Sequence, residues 1–309
     1  MTIAWKRESP AGNRAFSSTG HVGTTFGTWK EDMEALFPLP KSEVQLHFID
    51  GNPAAAGYTR GADRLDFDVN RLYNHGYAWV MAMGEVSDEG GGIFKVTLGA
   101  LPSFSIYSRY GNSNVQAIGC KCSEADIVMD AESAMLSSLS FTGMGIDPNP
   151  PVLSDEDFAK SPANIENYTG GWTYSEGDLT WCGENLMNVD HLSMKIVRNT
   201  MSVPTNNPRM ARRVHDPMMA GVSLGIGGDW DGTHDELIEA VLDMNDEEDF
   251  TWKIPIDDDH WHQVNIEKLV LNEPAIMGTG ATRPLKFAIS GTVKGLEVLL
   301  KDGHDYTTL

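Results

Sequence analysis

The chain has 309 residues, enough for one large domain or two ordinary ones, and 41% of them are hydrophobic, which excludes a disordered polypeptide. Its 44 acidic residues outnumber its 23 basic residues and give a formal net charge of −21. Such a polyanion repels DNA, RNA and anionic membranes over most of its surface. Recognition of nucleic acid through a basic face is therefore disfavoured.

The cysteine content and the N-terminus indicate assembly inside a cell. Cys120, Cys122 and Cys182 are too few for a disulfide framework and odd in number, which favours a reducing compartment. No apolar run follows Lys6 and Arg7, so a secretory signal is not expected. The longest apolar stretch, residues 77–83, is far shorter than the ~20 residues that span a bilayer.

Hydrophobic periodicity predicts a chain made mostly of strands, with one helix in each half. The elements predicted for the first half are an extended arm over 1–40 with a helical turn at 29–36, a strand at 44–48, a helix capped by Asp66 or Asp68 and ended by Gly84, an aromatic strand at 104–107, a turn at 111–114, and a long hairpin over 116–142. Those predicted for the second half are strands at 192–196 and 220–226, a helix capped by Thr233 or Asp235, an aromatic strand at 250–256, a strand at 264–271 with a bulge at Lys268, and a strand at 285–293.

The order of elements in the first half recurs in the second half, which predicts a duplicated unit of about 150 residues. Phe104 and Phe250 open the two aromatic strands and lie 146 residues apart. Phe141 and Ile289 begin the two closing segments and lie 148 residues apart. The predicted domains are an arm at 1–40, a first unit at 41–146, a proline-rich linker at 147–170, and a second unit at 171–309.

One motif suggests a serine hydrolase. Residues 221–225 match the G-x-S-x-G pattern around Ser223, and Asp257 and His260 follow in the order of an α/β-hydrolase triad. That nucleophile needs a buried strand immediately before it and a helix immediately after it. The preceding residues 212–217 do not read as a central strand, so the hydrolase remains an alternative hypothesis.

No cofactor or metal is predicted. Residues 257–262, Asp-Asp-Asp-His-Trp-His, contain metal-ligand types, but neighbouring residues of a strand point to opposite faces and cannot converge on one ion. Cys120 and Cys122 could join Cys182 around a soft metal, although buried thiols are the commoner case. No phosphate-binding glycine loop is present.

The strongest remaining signal is the distribution of charge. Residues 229–259 contain thirteen acids and one base, Lys253. A basic loop with Arg209, Arg212 and Arg213 precedes them. We expect these arginines to contact acidic residues of a neighbouring copy, and the acids proposed for that contact are Asp246, Glu247 and Glu248. Such a head-to-tail contact would build an open filament or tube.

The chain resembles the major tail tube proteins of long, non-contractile-tailed phages. The residues that carry the resemblance are 102–106, 117–121 with the hairpin to 141–143, and 189–196 with the loop to 208–209. The resemblance covers most of residues 40–300 and implies two fused tail-tube units. Each unit would be a β-sandwich with a flanking helix and a long hairpin that contributes to a barrel between subunits.

The resemblance also implies a function and partners. It implies a structural virion protein, assembled in the host cytoplasm, whose stacked rings form a negatively lined conduit for double-stranded DNA. A duplicated chain would form homotrimeric rings with pseudo-sixfold symmetry, with a homohexamer as the second choice. The other implied partners are the tape-measure protein and the tail terminator and tip proteins, and no membrane is involved.

Strand alternation selects the residues expected to line the lumen, although a register slip of one residue would reverse the assignment. They are Glu124, Asp126, Asp130, Ser138, Ser140, Glu267 and Ser290. Two other functions remain open from the sequence: a hydrolase built on Ser223, and an acidic binding module that docks a basic partner.

Overall fold

The protein is mainly β. The computed structural model describes residues 2–8, 27–29, 34–35, 41–48, 55–73, 75–131, 133–153, 178–181, 184–185, 189–204, 211–230, 248–255, 259–277 and 285–307. In chain order the elements are β1 (Thr2–Arg7), β2 (Gly27–Trp29), β3 (Glu34–Ala35), β4 (Lys41–Phe48), β5 (Ala55–Leu72), α1 (Tyr77–Met83), β6 (Gly84–Gly90), β7 (Ile93–Leu98), β8 (Phe104–Tyr110), β9 (Ser113–Asp130), β10 (Leu136–Gly143), β11 (Gly145–Ile146), β12 (Asp178–Trp181), β13 (Glu184–Asn185), β14 (Val189–Val197), β15 (Met201–Pro204), β16 (Ala211–His215), β17 (Gly221–Trp230), β18 (Glu248–Pro255), β19 (Trp261–Met277), β20 (Leu285–Val293) and β21 (Leu296–Lys301).

Seven neighbouring strands form an antiparallel sheet that curls into half of a barrel. Their order is β5-β10-β9-β14-β17-β20-β19, and we refer to them as the curled sheet. The first three come from the first half of the chain and the other four from the second half. The pairing of β9 with β14, from Asp130 opposite His191 to Glu124 opposite Val197, joins the two groups.

Strict alternation of apolar and polar residues explains why these segments are strands with one buried face. In β9, Ala125, Ile127 and Met129 are buried, while the intervening residues are partly exposed, as the sequence predicts. Leu192, Met194 and Ile196 repeat the pattern in β14. The apolar faces of both groups belong to one continuous core.

Two further groups of strands pair with the long strands β9 and β19: β8 and β1 in the first half of the chain, and β18 and β12 in the second half. Each long strand pairs its first part with an aromatic strand, with Phe104 of β8 opposite Cys120 and Phe250 of β18 opposite Ile266. Each pairs its second part with the strand that follows it in the chain, β10 or β20. The outer strands β1 and β12 then pair with β8 and β18. The same succession of pairings therefore occurs in both halves of the chain.

The bulge predicted at Lys268 is confirmed. Phe250 lies opposite Ile266 while Glu248 lies opposite Leu269, so the register of β19 shifts across Glu267 and Lys268. Both residues of the shift are exposed, whereas Ile266 and Leu269 on either side are buried. The extra residue restores the apolar face after a break in the alternation.

The predicted start of the first helix is wrong, although its end at Gly84 is correct. Residues 65–70 belong to β5, because Leu65, Phe67 and Val69 alternate with polar residues and this period of two prevails over the helical spacing. Helix α1 begins only at Tyr77, and all seven of its residues are buried. It ends where Gly84 adopts a φ of 101°. The second predicted helix lies outside the described residues.

The predicted extended arm contains strands that pack into the body of the protein. Trp5 of β1 is completely buried, and β1 pairs with β8 along its length. The helical turn predicted at 29–36 is not borne out where the chain is described, because Trp29 ends β2 and Glu34–Ala35 pairs with β5. The first part of the predicted linker is also packed, since Asp147 and Leu153 are buried.

The two halves are interlocked by a hairpin of the first half. Strands β6 and β7 pair with each other, and Thr97 of β7 lies opposite Glu297 of β21 in the second half. Lys95 and Glu297 form an ion pair across this contact, with 2.5 Å between Nζ and Oε2. The hairpin thus extends the sheet of the second half.

Candidate functional site: the polar face of the curled sheet

The face of the curled sheet opposite the core carries small and acidic side chains, and we call it the polar face. Its described side chains include Asp66, Asp68, Asn70, Glu124, Asp126, Asp130, Ser138, Ser140, Thr142, His191, Ser193, Lys195, Ser223, Ser290 and Thr292. Five of these residues are carboxylates and one is a lysine. Six of the seven residues predicted to line a lumen (all except Glu267) therefore share one face.

A row of cross-strand hydrogen bonds orders this face between β5 and β10. The hydroxyl of Ser140 donates to Oδ1 of Asp68 at 2.6 Å, and that of Ser138 donates to Oδ1 of Asn70 at 2.5 Å. Thr142 donates to Asp66 in the same way at 3.1 Å. These bonds hold the acidic side chains against the sheet. The surface is therefore negatively charged, and these side chains do not protrude far from it.

An ion pair and a contact between a histidine and a carboxylate cross the junction of β9 and β14. Nζ of Lys195 lies 2.6 Å from Oε1 of Glu124, and Nδ1 of His191 lies 2.6 Å from Oδ1 of Asp130. The hydrogen bond from Lys195 to Glu124 raises the pKa of the lysine. The ammonium group of Lys195 is therefore already occupied by a carboxylate of the same chain.

Asp126 lies between these two pairs, directly opposite Lys195 in the strand register. Partial burial raises the pKa of its carboxyl, and the positive charge of Lys195 opposes that shift. Its Oδ1 atom has no hydrogen-bond partner among the described residues. This side chain is the least solvated carboxylate of the junction.

Ser223 does not occupy a nucleophile elbow. It lies within β17, with Lys195 opposite it on one neighbouring strand and Thr292 on the other. The sharp turn from strand to helix that exposes the serine of a hydrolase is absent at this position. Lys195 is also unsuited to act as a general base toward Ser223, because its raised pKa keeps it protonated.

The other predicted site residues are dispersed. Glu267 is exposed but lies at the bulge of β19. Arg213 is exposed on β16. The backbones of Arg212 and Glu248 lie in β16 and β18, and Arg209, Asp246 and Glu247 lie outside the described residues.

A buried polar network that no sequence pattern indicated joins three parts of the chain. Nε1 of Trp79 donates to Oη of Tyr73 at 2.7 Å, and that oxygen lies 2.6 Å from Nδ1 of His262. Nε2 of His262 lies 2.8 Å from Oδ2 of Asp302, which also accepts a hydrogen bond from Tyr306. No local pattern in the sequence signals this network, because its members lie up to 233 residues apart.

The burial of this network indicates a structural role. His262 and Asp302 are completely inaccessible to solvent. Burial opposes the ionised form of Asp302, but the neighbouring histidines and the hydrogen bonds lower its pKa to about 2. With the carboxylate ionised, Nε2 of His262 donates to it, and Nδ1 of the same ring faces the hydroxyl of Tyr73.

The remaining candidate groups carry no assembled site in the described part of the chain. No cluster of three or more His, Cys, Asp or Glu side chains suited to a metal ion occurs there. Cys120 and Cys122 are buried, and burial raises the pKa of the Cys122 thiol to about 12. The described residues include no helix with the length and hydropathy needed to cross a bilayer.

Comparison with known proteins assigns no family. No protein-family model matches the chain, and no curated protein matches it significantly.

Proposed function

We propose that the protein is a tail tube subunit of a long, non-contractile-tailed phage, whose curled sheets join those of identical copies into a closed barrel around DNA. The observation that carries the proposal is the curled sheet itself. It has one face buried in the core and one face of small and acidic residues, and it makes only half of a barrel. A wall of small and acidic side chains suits a channel better than a pocket.

The edges of the curled sheet support pairing with further copies. Within the described residues, 271–277 of β19 pair with β20 alone. At the opposite edge, the two described residues of β3 pair with β5 at Val69 and Asn70. Open strand edges readily recruit other strands, and closure into a barrel removes them.

The chemistry of the polar face suits a wall along which duplex DNA slides. A lysine or arginine that contacts phosphate releases counterions and strengthens binding, which would retard the DNA. Lys195 instead pairs with Glu124, and the carboxylates around it repel phosphate. The serine and glycine residues of β17 and β20 add no bulk or positive charge.

The repeated succession of pairings supports two fused units and hence a ring of three chains with pseudo-sixfold symmetry. A ring of six chains is the second choice. In this proposal the protein belongs to the virion tail and is assembled in the host cytoplasm. Its partners are further copies of itself, a tape-measure protein and the terminator and tip proteins, while DNA passes through without specific binding.

Electron microscopy of the purified protein tests the proposal. We expect rings with threefold symmetry that stack into hollow tubes as the concentration rises. Sedimentation velocity measures the same assembly in solution. A protein that remains monomeric at every concentration, with no rings in micrographs, would contradict the proposal.

The lining is tested separately with Ser223→Lys and Ser290→Lys, which add positive charge to the polar face. These variants should still form tubes, but the tubes should retain duplex DNA. The slope of the logarithm of the binding constant against the logarithm of the salt concentration should become more negative by about 0.9 for each phosphate that an added lysine neutralises. The matched control is Thr307→Lys, an exposed position outside the curled sheet. Equal retention by all three variants would argue against a channel at the polar face.

A further inference from the structure

A buried ion pair fastens three separate segments together at one end of β14. The side chains of Arg198 and Asp216 are 1% and 5% exposed. Nη2 of Arg198 donates to the carbonyl oxygen of Gly99 at 2.6 Å and lies 3.3 Å from Oδ1 of Asp216. The carboxylate of Asp216 also accepts hydrogen bonds from the amides of Leu101, at 2.8 Å, and Met218, at 2.9 Å.

Four exposed apolar side chains lie close in the chain to the residues that this ion pair joins. Leu98, Met201, Met218 and Met219 are 36%, 57%, 67% and 75% exposed, and we call them the methionine patch. Each lies within three residues of Gly99, Arg198 or Asp216 in the chain. Exposed apolar groups gathered in one place mark interaction surfaces more often than isolated ones, and methionine adapts readily to a partner.

The backbone at the methionine patch is held in an unfavourable conformation. Asn199 and Met218 have φ angles of 51° and 56°, and no other non-glycine residue in the described chain has a positive φ. The amide of Met218 donates to Oδ1 of Asp216 at 2.9 Å, and the Met218 side chain is exposed. Strain of this kind persists where surrounding structure enforces it, and it is concentrated at functional sites.

The charge around the patch favours an acidic partner. Arg213 is exposed on β16, which pairs with the strand that begins at Met201. The longest run of consecutive acidic residues within 229–259 ends at Asp249. This residue is exposed at the start of β18.

We propose that the methionine patch and Arg213 form the docking surface for the acidic segment around Asp249 of a second copy. Because the two surfaces differ, the contact is head to tail and propagates into an open stack. The inference rests on the proposed function and deepens it by naming the contact that stacks one ring on the next. Apolar contact would supply affinity, and the arginine and the carboxylates would fix the orientation.

Oxidation by dilute hydrogen peroxide tests the contact without any substitution. Exposed methionines form sulfoxides, which mass spectrometry quantifies residue by residue. We expect Met218 and Met219 to oxidise roughly fivefold more slowly in stacked tubes than in dispersed rings, because docking excludes the oxidant. The buried Met81 and Met83 should resist oxidation in both states. Equal rates at Met218 and Met219 in both states would overturn the proposal.

Substitutions distinguish this contact from lateral pairing of sheets. The double variant Met218→Ser, Met219→Ser and the single variant Arg213→Glu should form rings but require roughly tenfold more protein to stack. Val152→Ser is the matched control, since Val152 is 77% exposed outside the patch. Asp249→Lys should restore stacking to Arg213→Glu.

The outcomes distinguish a failure of the proposed docking surface from a failure of the proposed tail tube function. Stacking of the double variant at the wild-type concentration, or failure of Asp249→Lys to rescue Arg213→Glu, would overturn the docking surface while rings persist. A wild-type protein that forms no rings at all would overturn the proposed function.

Discussion

His262 and Asp302 form a hydrogen-bonded pair inside the core, with 2.8 Å between Nε2 and Oδ2 and no solvent access to either side chain. The pair connects the long strand β19 to the last described segment of the chain. Tyr73 and Tyr306 complete it from the segment before α1 and from the C-terminal segment. The network therefore fastens α1 to the second half of the protein.

We expect Asp302→Asn to lower the free energy of unfolding by about 3 kcal/mol, because it leaves His262 and Tyr306 without their buried acceptor charge. Urea unfolding followed by tryptophan fluorescence measures the change. The matched control is Asp305→Asn, an exposed aspartate three residues away, which should change stability by less than about 0.5 kcal/mol. Equal effects of the two substitutions would show that burial of the pair does not matter.

Acid should destabilise the protein through the same carboxylate. The pKa of Asp302 is about 2 in the folded state and near 3.9 in the unfolded chain, so its contribution is complete above about pH 4 and is lost as the pH falls toward 2. The shift corresponds to about 2 to 3 kcal/mol. Thermal unfolding from pH 6 to pH 2 should show a smaller loss for Asp302→Asn than for the wild type. An identical loss in both proteins would assign the acid sensitivity to other carboxylates.

Glu8 should anchor β1 to the body of the protein. Its buried carboxylate accepts hydrogen bonds from the hydroxyls of Ser103 and Ser105, at 2.7 and 2.8 Å, and from the amide of Gly119 at 2.9 Å. Glu8→Ala leaves these donors unpaired and should cost about 3 kcal/mol. Hydrogen exchange of residues 2–8 should accelerate as well. The exposed neighbour Arg7, changed to alanine, provides the control, and unchanged exchange in Glu8→Ala would refute the anchor.

Gly84 should be irreplaceable at the end of α1 for two separable reasons. Its φ of 101° is unfavourable for any residue with a Cβ, and that Cβ would lie 2.5 Å from the carbonyl oxygen of Ala100. We expect Gly84→Ala to cost more than about 3 kcal/mol. Gly91→Ala, at a φ of 65° with open space around it, isolates the backbone contribution and should cost about 1 kcal/mol. Similar melting temperatures for the two variants would mean that the contact with Ala100 relaxes.

Local periodicity was sufficient to predict most strands of the curled sheet. The alternation in β9 and β14 identified the buried and polar faces, and the broken alternation at Lys268 identified the bulge. It failed at residues 65–70, where apolar positions fit both a helix and a strand. There the pairing with β10, from Leu65 opposite Gly143 to Leu72 opposite Leu136, selects the strand.

The sequence by itself determined that the protein is mainly β and which residues of β9 and β14 alternate between the core and the polar face, because a period of two depends only on neighbours along the chain. Only the tertiary structure decided that β9 pairs with β14, that His262 meets Asp302, and that Arg198 and Asp216 bring Leu98 and Met218 to one place. These contacts join residues far apart in the chain. Their selection depends on burial and pairing across the whole fold, which no local pattern encodes.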